Sequence, residues 1–109
     1  MNNNARKIPN ADGGALVASR VIATTPCKLL SIIVLNTGAA QYIQVFESAT
    51  VPANGAIPEL PAVYVGASST VQFDFLNGVD MDAVSISNSS TPATKTIGSA
   101  DCAIVAIIQ

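Results

Sequence analysis

The stretch Cys27-Lys28-Leu29-Leu30-Ser31-Ile32-Ile33-Val34-Leu35 has the length of a strand and is apolar at seven of its nine positions. Successive side chains alternate across a strand, so Cys27, Leu29, Ile33 and Leu35 are expected on one face and Leu30, Ile32 and Val34 on the other. Cys102-Ala103-Ile104-Val105-Ala106-Ile107-Ile108 repeats the pattern, with Ile104 and Ile108 opposing Val105 and Ile107. An antiparallel sheet in a lone soluble domain normally shows water one polar face, and no segment of this chain reads as a helix able to cover the second. Two strands that are apolar on both sides therefore predict burial against further copies of the chain or against another protein.

The bulk properties agree. A chain of 109 residues forms one domain and buries roughly 65% of its unfolded surface, enough for one core without staples. Half of the residues are apolar and only 11% are charged, against roughly 25% in an ordinary soluble domain. Charge is what keeps strand edges and surfaces apart, so this composition favours association. The net charge of −2 excludes a phosphate-tracking role, because nucleic-acid binding needs a basic stripe that releases counterions. Four of the five cations, Arg6, Lys7, Arg20 and Lys28, lie near the start, while six of the seven anions follow from Glu47 onward. They form either a basic arm that docks on an acidic neighbour or a chance cluster of solvated charges. No apolar run approaches the roughly 18 residues needed to span a bilayer as a helix, so no membrane partner is expected. The short Ala15–Ala18 core after an Asn-rich start does not resemble a secretory signal.

Residues 1–12, MNNNARKIPNAD, are polar, contain Pro9 and lack periodicity, which predicts an arm; residues 13–109 form the domain. Strands are expected near 15–25, 28–36, 41–47, 60–65, 70–75, 83–88 and 102–108. They are separated by the turn chemistry of Thr25-Pro26, Asn36-Thr37-Gly38, Asn54-Gly55, Gly66-Ala67-Ser68, Asn77-Gly78 and the Ser89–Thr94 stretch. Val71, Phe73 and Phe75 alternate with Gln72 and Asp74, which places that strand over a core on one side only. Tyr42, Gln44 and Phe46 share a face opposite Ile43 and Val45; one face is core and the other a candidate contact surface. The fold class is all-β: an antiparallel β-sandwich or jelly-roll-like domain of about seven to eight strands with an extended N-terminal arm.

Catalytic chemistry is poorly provided for. There is no histidine, so the usual general base and the Ser-His-Asp relay are absent, and no Ser sits in a GxSxG context. Asp80-Met81-Asp82, with Asp74 and Asp101 elsewhere, offers oxygen ligands for a hard cation, but an acidic turn serves equally as solvated punctuation. No catalytic, cofactor-binding or metal residue is assigned on this basis. Cys27 and Cys102 open the two doubly apolar strands and either bridge or remain buried thiols; the zinc spacing is missing. The hydroxyls of 68–70 and 89–91 fit turn capping, and Asn88-Ser89-Ser90 matches a glycosylation acceptor without a secretory context.

The order Val34-Leu35-Asn36-Thr37-Gly38, Tyr42-Ile43-Gln44-Val45-Phe46-Glu47, Val51-Pro52-Ala53-Asn54-Gly55 and Asn88-Ser89-Ser90-Thr91-Pro92-Ala93-Thr94-Lys95-Thr96, followed by a terminal apolar strand, resembles small structural proteins of tailed bacteriophages. The resemblance covers most of the chain after Gly13. It implies a β-sandwich protein without enzymatic activity, made in the bacterial cytoplasm and carried on the virion as a capsid decoration or cement protein or as a fibre connector. Its partners would be its own copies, as a dimer or trimer, and the major capsid protein or other virion proteins.

These lines lead to a non-enzymatic structural subunit with no cofactor. Leu30, Ile32, Val34, Val105 and Ile107 are the expected apolar seam, and Arg6 and Lys7 the anchors of the arm. Two rivals remain: a receptor- or glycan-binding module using the loops 48–59 and 89–94, which suit a rigid sandwich, and a hydrolase using Asp74, Asp80 and Asp82.

Overall fold

The turn residues cut the chain into segments too short for single-layer burial, and the solution is two packed sheets. A computed structural model describes residues 5–109; the first four residues of the expected arm lie outside the described residues. The strands are β1 (Arg6–Ile8), β2 (Leu16–Val17), β3 (Ser19–Ala23), β4 (Cys27–Asn36), β5 (Gln41–Phe46), β6 (Val63–Val65), β7 (Ser69–Met81), β8 (Val84–Ser89) and β9 (Cys102–Ile108). One sheet has the order β1-β9-β4-β7, with β2 following β1 along the same edge of β9; the other has the order β3-β8-β5-β6. All pairings are antiparallel. From β2 onward every connection except β5–β6 crosses between the sheets, which is the winding of a jelly roll.

The core lies between the sheets. Leu29, Ile32, Val34, Ile104, Ala106 and Ile108 meet Ile22, Ile43, Val45, Val65, Val84 and Ile86, all buried. One end is sealed by polar groups. Buried Asn36 donates to Ala39 O (2.8 Å) and Gly66 O (3.1 Å) and accepts from Gln41 Nε2 (3.0 Å). Gln41 also donates to Asp101 Oδ1 (2.8 Å), and Asn88 bridges Ser99 O and the Gly98 N–H. The three buried amides at this end, Asn36, Gln41 and Asn88, are thus bonded, as burial of such groups demands.

Four sequence expectations change. The expected strand over 15–25 breaks at Ala18, and its halves β2 and β3 enter different sheets. Part of the expected arm, Arg6–Ile8, is a strand: it pairs with Ile108, Ile107 and Ala106 at the free edge of β9, and Ile8 packs on the core. Pro9 is tolerated because it follows the last residue of an edge strand. Asn77-Gly78 does not end a strand. Both residues have positive φ (62° and 78°), yet β7 continues past them to Met81. Ser31 faces Asp74 while Leu29 faces Val79, so Phe75, Leu76, Asn77 and Gly78 bulge out opposite Leu30 alone.

The fourth change is the most consequential. The pairing of β4 shifts between Leu29 and Ser31 against both β7 and β9. An extra residue in one strand resets the alternation of side chains beyond it. Leu29 therefore shares the core face with Ile32 and Val34, while Leu30, Ile33 and Leu35 point outward. Ile32 and Val34, expected in the seam, are fully buried core residues instead.

The centre of the outer face of β3-β8-β5-β6 is largely polar and covered, while Val21 and Tyr64 at its margins are exposed. Gln44, Ser85, Ser87 and Ser89 lie on it, all buried, together with Phe46. The β5–β6 and β8–β9 connections fold over them. Gln44 Nε2 donates to Thr91 O and Thr94 O, Ser89 Oγ to Thr91 O, and Ser85 Oγ to Thr50 O. The two connections are also tied to each other: Gly55 N–H bonds Lys95 O, Lys95 N–H bonds Ala56 O, and buried Lys95 donates its ammonium to Pro52 O.

Two outcomes follow from this packing. A Cβ on Gly78 would come within 2.9 Å of Leu30 Cδ2, at a φ that side chains resist; Gly78→Ala is expected to lower the unfolding free energy by about 1–3 kcal/mol in a denaturant titration. The second concerns Lys95 and Cys102. Burial pushes the Lys95 ammonium below its ordinary 10.5, so the unfolded chain binds that proton more readily and this group adds stability as pH climbs toward 10.5. Burial pushes the Cys102 thiol above its ordinary 9.0, so ionisation in the unfolded chain removes stability as pH climbs past 9.0. Lys95→Met keeps only the second trend, and its denaturation midpoint should fall more steeply than that of the unsubstituted chain between these two pH values.

Candidate interaction surface

The apolar strands β4 and β9 lie side by side in the middle of one sheet, and their outward side chains form its exposed face. Register aligns them in rows. Lys7, Ile107, Ser31 and Asp74 form one; Val105, Ile33 and Gln72 the next; Leu16, Ala103, Leu35 and Thr70 the third. Leu30 joins them at the bulge. The centre of the face is thus apolar, with Lys7 at one edge and Thr70, Gln72 and Asp74 at the other.

Among the described residues, little covers this face. Gly13, between β1 and β2, approaches Val105: a Cβ there would stand 3.2 Å from Val105 Cγ2. Leu30, Ile33, Val105 and Ile107 are half-buried by their neighbours, Leu35 is 40% exposed, and Leu16 is 47% exposed. Leu76, at the crest of the β7 bulge, is 91% exposed.

The polar rim is held in place. Ser31 Oγ donates to Asp74 Oδ1 (2.7 Å), and this bond, with a longer one from Gln72, holds the Asp74 carboxyl below its ordinary range. Lys28 pairs with Asp80 at 3.6 Å, an exposed contact worth little to stability.

Of the residues expected in the seam, the structure brings Leu30, Val105 and Ile107 together on the outward face and removes Ile32 and Val34 to the core. Lys7 lies on the same face at the β1 edge. Arg6, opposite Ile108, lies close enough to Cys27 for its charge to offset part of the rise that burial imposes on that thiol. Ile33 and Leu35 belong to the face and escaped the sequence pattern, because only the register against β7 and β9 reveals the bulge. The connection between β1 and β2 was equally invisible as partial cover.

The remaining candidates are dispersed or occupied. Antiparallel pairing of β4 with β9 puts Cys27 at the Gln109 end and Cys102 beside Asn36. The two thiols are free and lie roughly 30 Å apart along the strands. An open groove of about 500 Å³ is lined by Pro26, Cys27, Lys28, Asp80, Met81, Asp82 and Gln109. Asp80 faces Lys28 there, and Glu47 accepts the Asp82 N–H (2.8 Å). Asp74 is on the far side of the bulge, so the three aspartates of the hydrolase reading do not converge. No group of three His, Cys, Asp or Glu able to hold a metal ion occurs among the described residues. In the 89–94 loop, Ser89 and Thr91 direct their hydroxyls to carbonyls of the same loop.

Comparison with known protein families finds no match, and comparison with curated proteins finds none. Among solved structures, the coat protein of tobacco streak virus is similar over all of this chain and 88% of its own, with a TM-score of 0.45 and 12% identity.

Proposed function

We propose that the chain is a non-enzymatic structural subunit of a virion, a capsid decoration or cement protein that seats the outer face of its β1/β2-β9-β4-β7 sheet on neighbouring subunits. One observation carries this reading: among the described residues, the polar centre of one outer face is roofed by the chain's own loops, while the apolar outer face of the other sheet is left half-open. A fold that had to hide grease from water in isolation would place its loops the other way round. Leu30, Ile33, Leu35, Val105 and Ile107 supply the contact, and Lys7 and Asp74 supply opposite charges at its two margins. Each such side chain fully buried contributes roughly 1.5–3 kcal/mol, and symmetric repetition multiplies a modest contact into a stable shell. The assignment to a phage head rests on the sequence resemblance, which has no catalytic component. The loop-binding alternative is less well served, because the loops spend their hydroxyls and carbonyls on roofing the second sheet.

The test is co-sedimentation with tailed-phage heads assembled without the protein. Ile33→Asp and Val105→Asp are expected to fold, with unchanged circular dichroism, and to lose head binding at least tenfold. Ile32→Asp, in the core, is expected to unfold. Retention of binding by both surface variants, or failure of the unsubstituted chain to bind any head, would contradict the reading.

A further inference from the structure

A sandwich of two open sheets presents four edges, and each carries a row of unpaired backbone groups that invites another strand. Three edges here are guarded. The β1/β2 edge carries Arg6 and Lys7 and is followed by Pro9; β3 contains Arg20 and is bulged between Val21 and Ala23; β6 is three residues long and stands two residues after Pro61.

The fourth edge is β7, paired only with β4 among the described residues. Its distal part is deformed by the Phe75–Gly78 bulge. Its first part is regular, pairing residue by residue from Asn36↔Ser69 to Ser31↔Asp74. Ser69–Asp74 contains no Pro, no Lys, no Arg and no bulge. Its single charge, Asp74, is already engaged by Ser31 and Gln72. On the inner side Val71 and Phe73 are only half-buried at the mouth of the sandwich.

We infer that Thr70–Asp74 pairs antiparallel with the same segment of a second copy of this chain, across a two-fold axis through Gln72. The two β1/β2-β9-β4-β7 sheets then become one continuous sheet. Directly opposite residues of an antiparallel pair share a face, so this register sets Val71 against Phe73 of the other copy on the inner side. Thr70 meets Asp74 on the outer side, and no like charges are opposed. A register centred on Asp74 would bring two carboxylates together. The ladder is also finite: Ser68, with φ 50°, ends it on one side and the bulge ends it on the other. The contact is isologous and closes at two copies. It uses an edge, not the apolar face, and so leaves that face free for the contact proposed above.

Gln72→Cys in a Cys27→Ser background tests this register, because residues paired across a two-fold lie about 4.5–5.5 Å apart at Cβ, close to disulfide reach. Mild oxidation is expected to link most of the protein as dimers, while Leu76→Cys, at a position 91% exposed, stays unlinked. Light scattering of the unsubstituted chain should give twice the monomer mass. Gln72→Lys, at an exposed position that leaves the fold intact, sets two ammoniums face to face and should raise the dimer dissociation constant at least tenfold. Ile33→Asp should leave the Gln72→Cys cross-link unchanged; its loss would assign the dimer to the apolar face and overturn the edge pairing. A monomeric mass at about 100 µM, or linkage through Leu76→Cys in preference to Gln72→Cys, would overturn it as well, and neither result depends on binding to heads.

Discussion

The closure of the β5–β6 and β8–β9 connections over the Gln44, Ser85, Ser87 and Ser89 face is the constraint on which the rest of the molecule turns. Burying a polar sheet face is costly where its groups lack partners; here loop carbonyls accept from the Gln44 amide nitrogen and the Ser85 and Ser89 hydroxyls, while Gln44 Oε1 and Ser87 Oγ are buried without a partner. Lys95, bonded through both backbone and ammonium to residues 52–56, fastens one loop to the other. The long irregular segments are committed to this roof. The other outer face, built from β4 and β9, has among the described residues little more than the Gly13 turn above its apolar side chains.

A second constraint acts within that sheet. The single extra residue at Leu30, matched across the pair by the four-residue excursion of β7, divides β4 into halves of opposite parity. Without it Ile32 and Val34 would face outward and the sandwich would lose the centre of its core. Gly78 makes the excursion possible by accepting positive φ and by leaving room for the stems of Lys28 and Leu30. The same excursion lifts Leu76 into solvent and shortens the usable edge of β7, so one local irregularity shapes the core, the exposed face and the free edge together.

Much of this was legible in the sequence. Alternation and turn residues place β4, β5, β8 and β9 almost to the residue, and the inward set Val71, Phe73 and Phe75 packs on the core as its pattern requires. The apolar character of both sides of β4 and β9 is evident in the sequence, and in the structure Leu30, Ile33, Val105 and Ile107 on the outward side are half-buried. Membership of the two faces was not legible, since a bulge changes parity without a distinctive residue to mark it: Leu30 resembles its neighbours. Asn77-Gly78 has the right chemistry for a tight turn, but local chemistry does not say whether the chain reverses or only bulges. Edge pairing of Arg6–Ile8 depends on a vacancy beside β9, a long-range fact absent from the local pattern. The burial of a serine- and glutamine-bearing face runs against composition, because the partners that permit it come from loops some 35–50 residues away in sequence.

These features describe a domain that spends its loops on one side and leaves an apolar strand face half-open on the other, the face that the proposed association would cover. Methyl-labelled NMR with a soluble paramagnetic probe measures that division directly. The account predicts strong relaxation of the Ile33, Leu35 and Ile107 methyls in the free chain, lost when phage heads are added, while Val51 and Ile57 in the β5–β6 loop stay accessible throughout. Persistent exposure of the β4 and β9 methyls in the bound state, or protection of the loop methyls in their place, would contradict it.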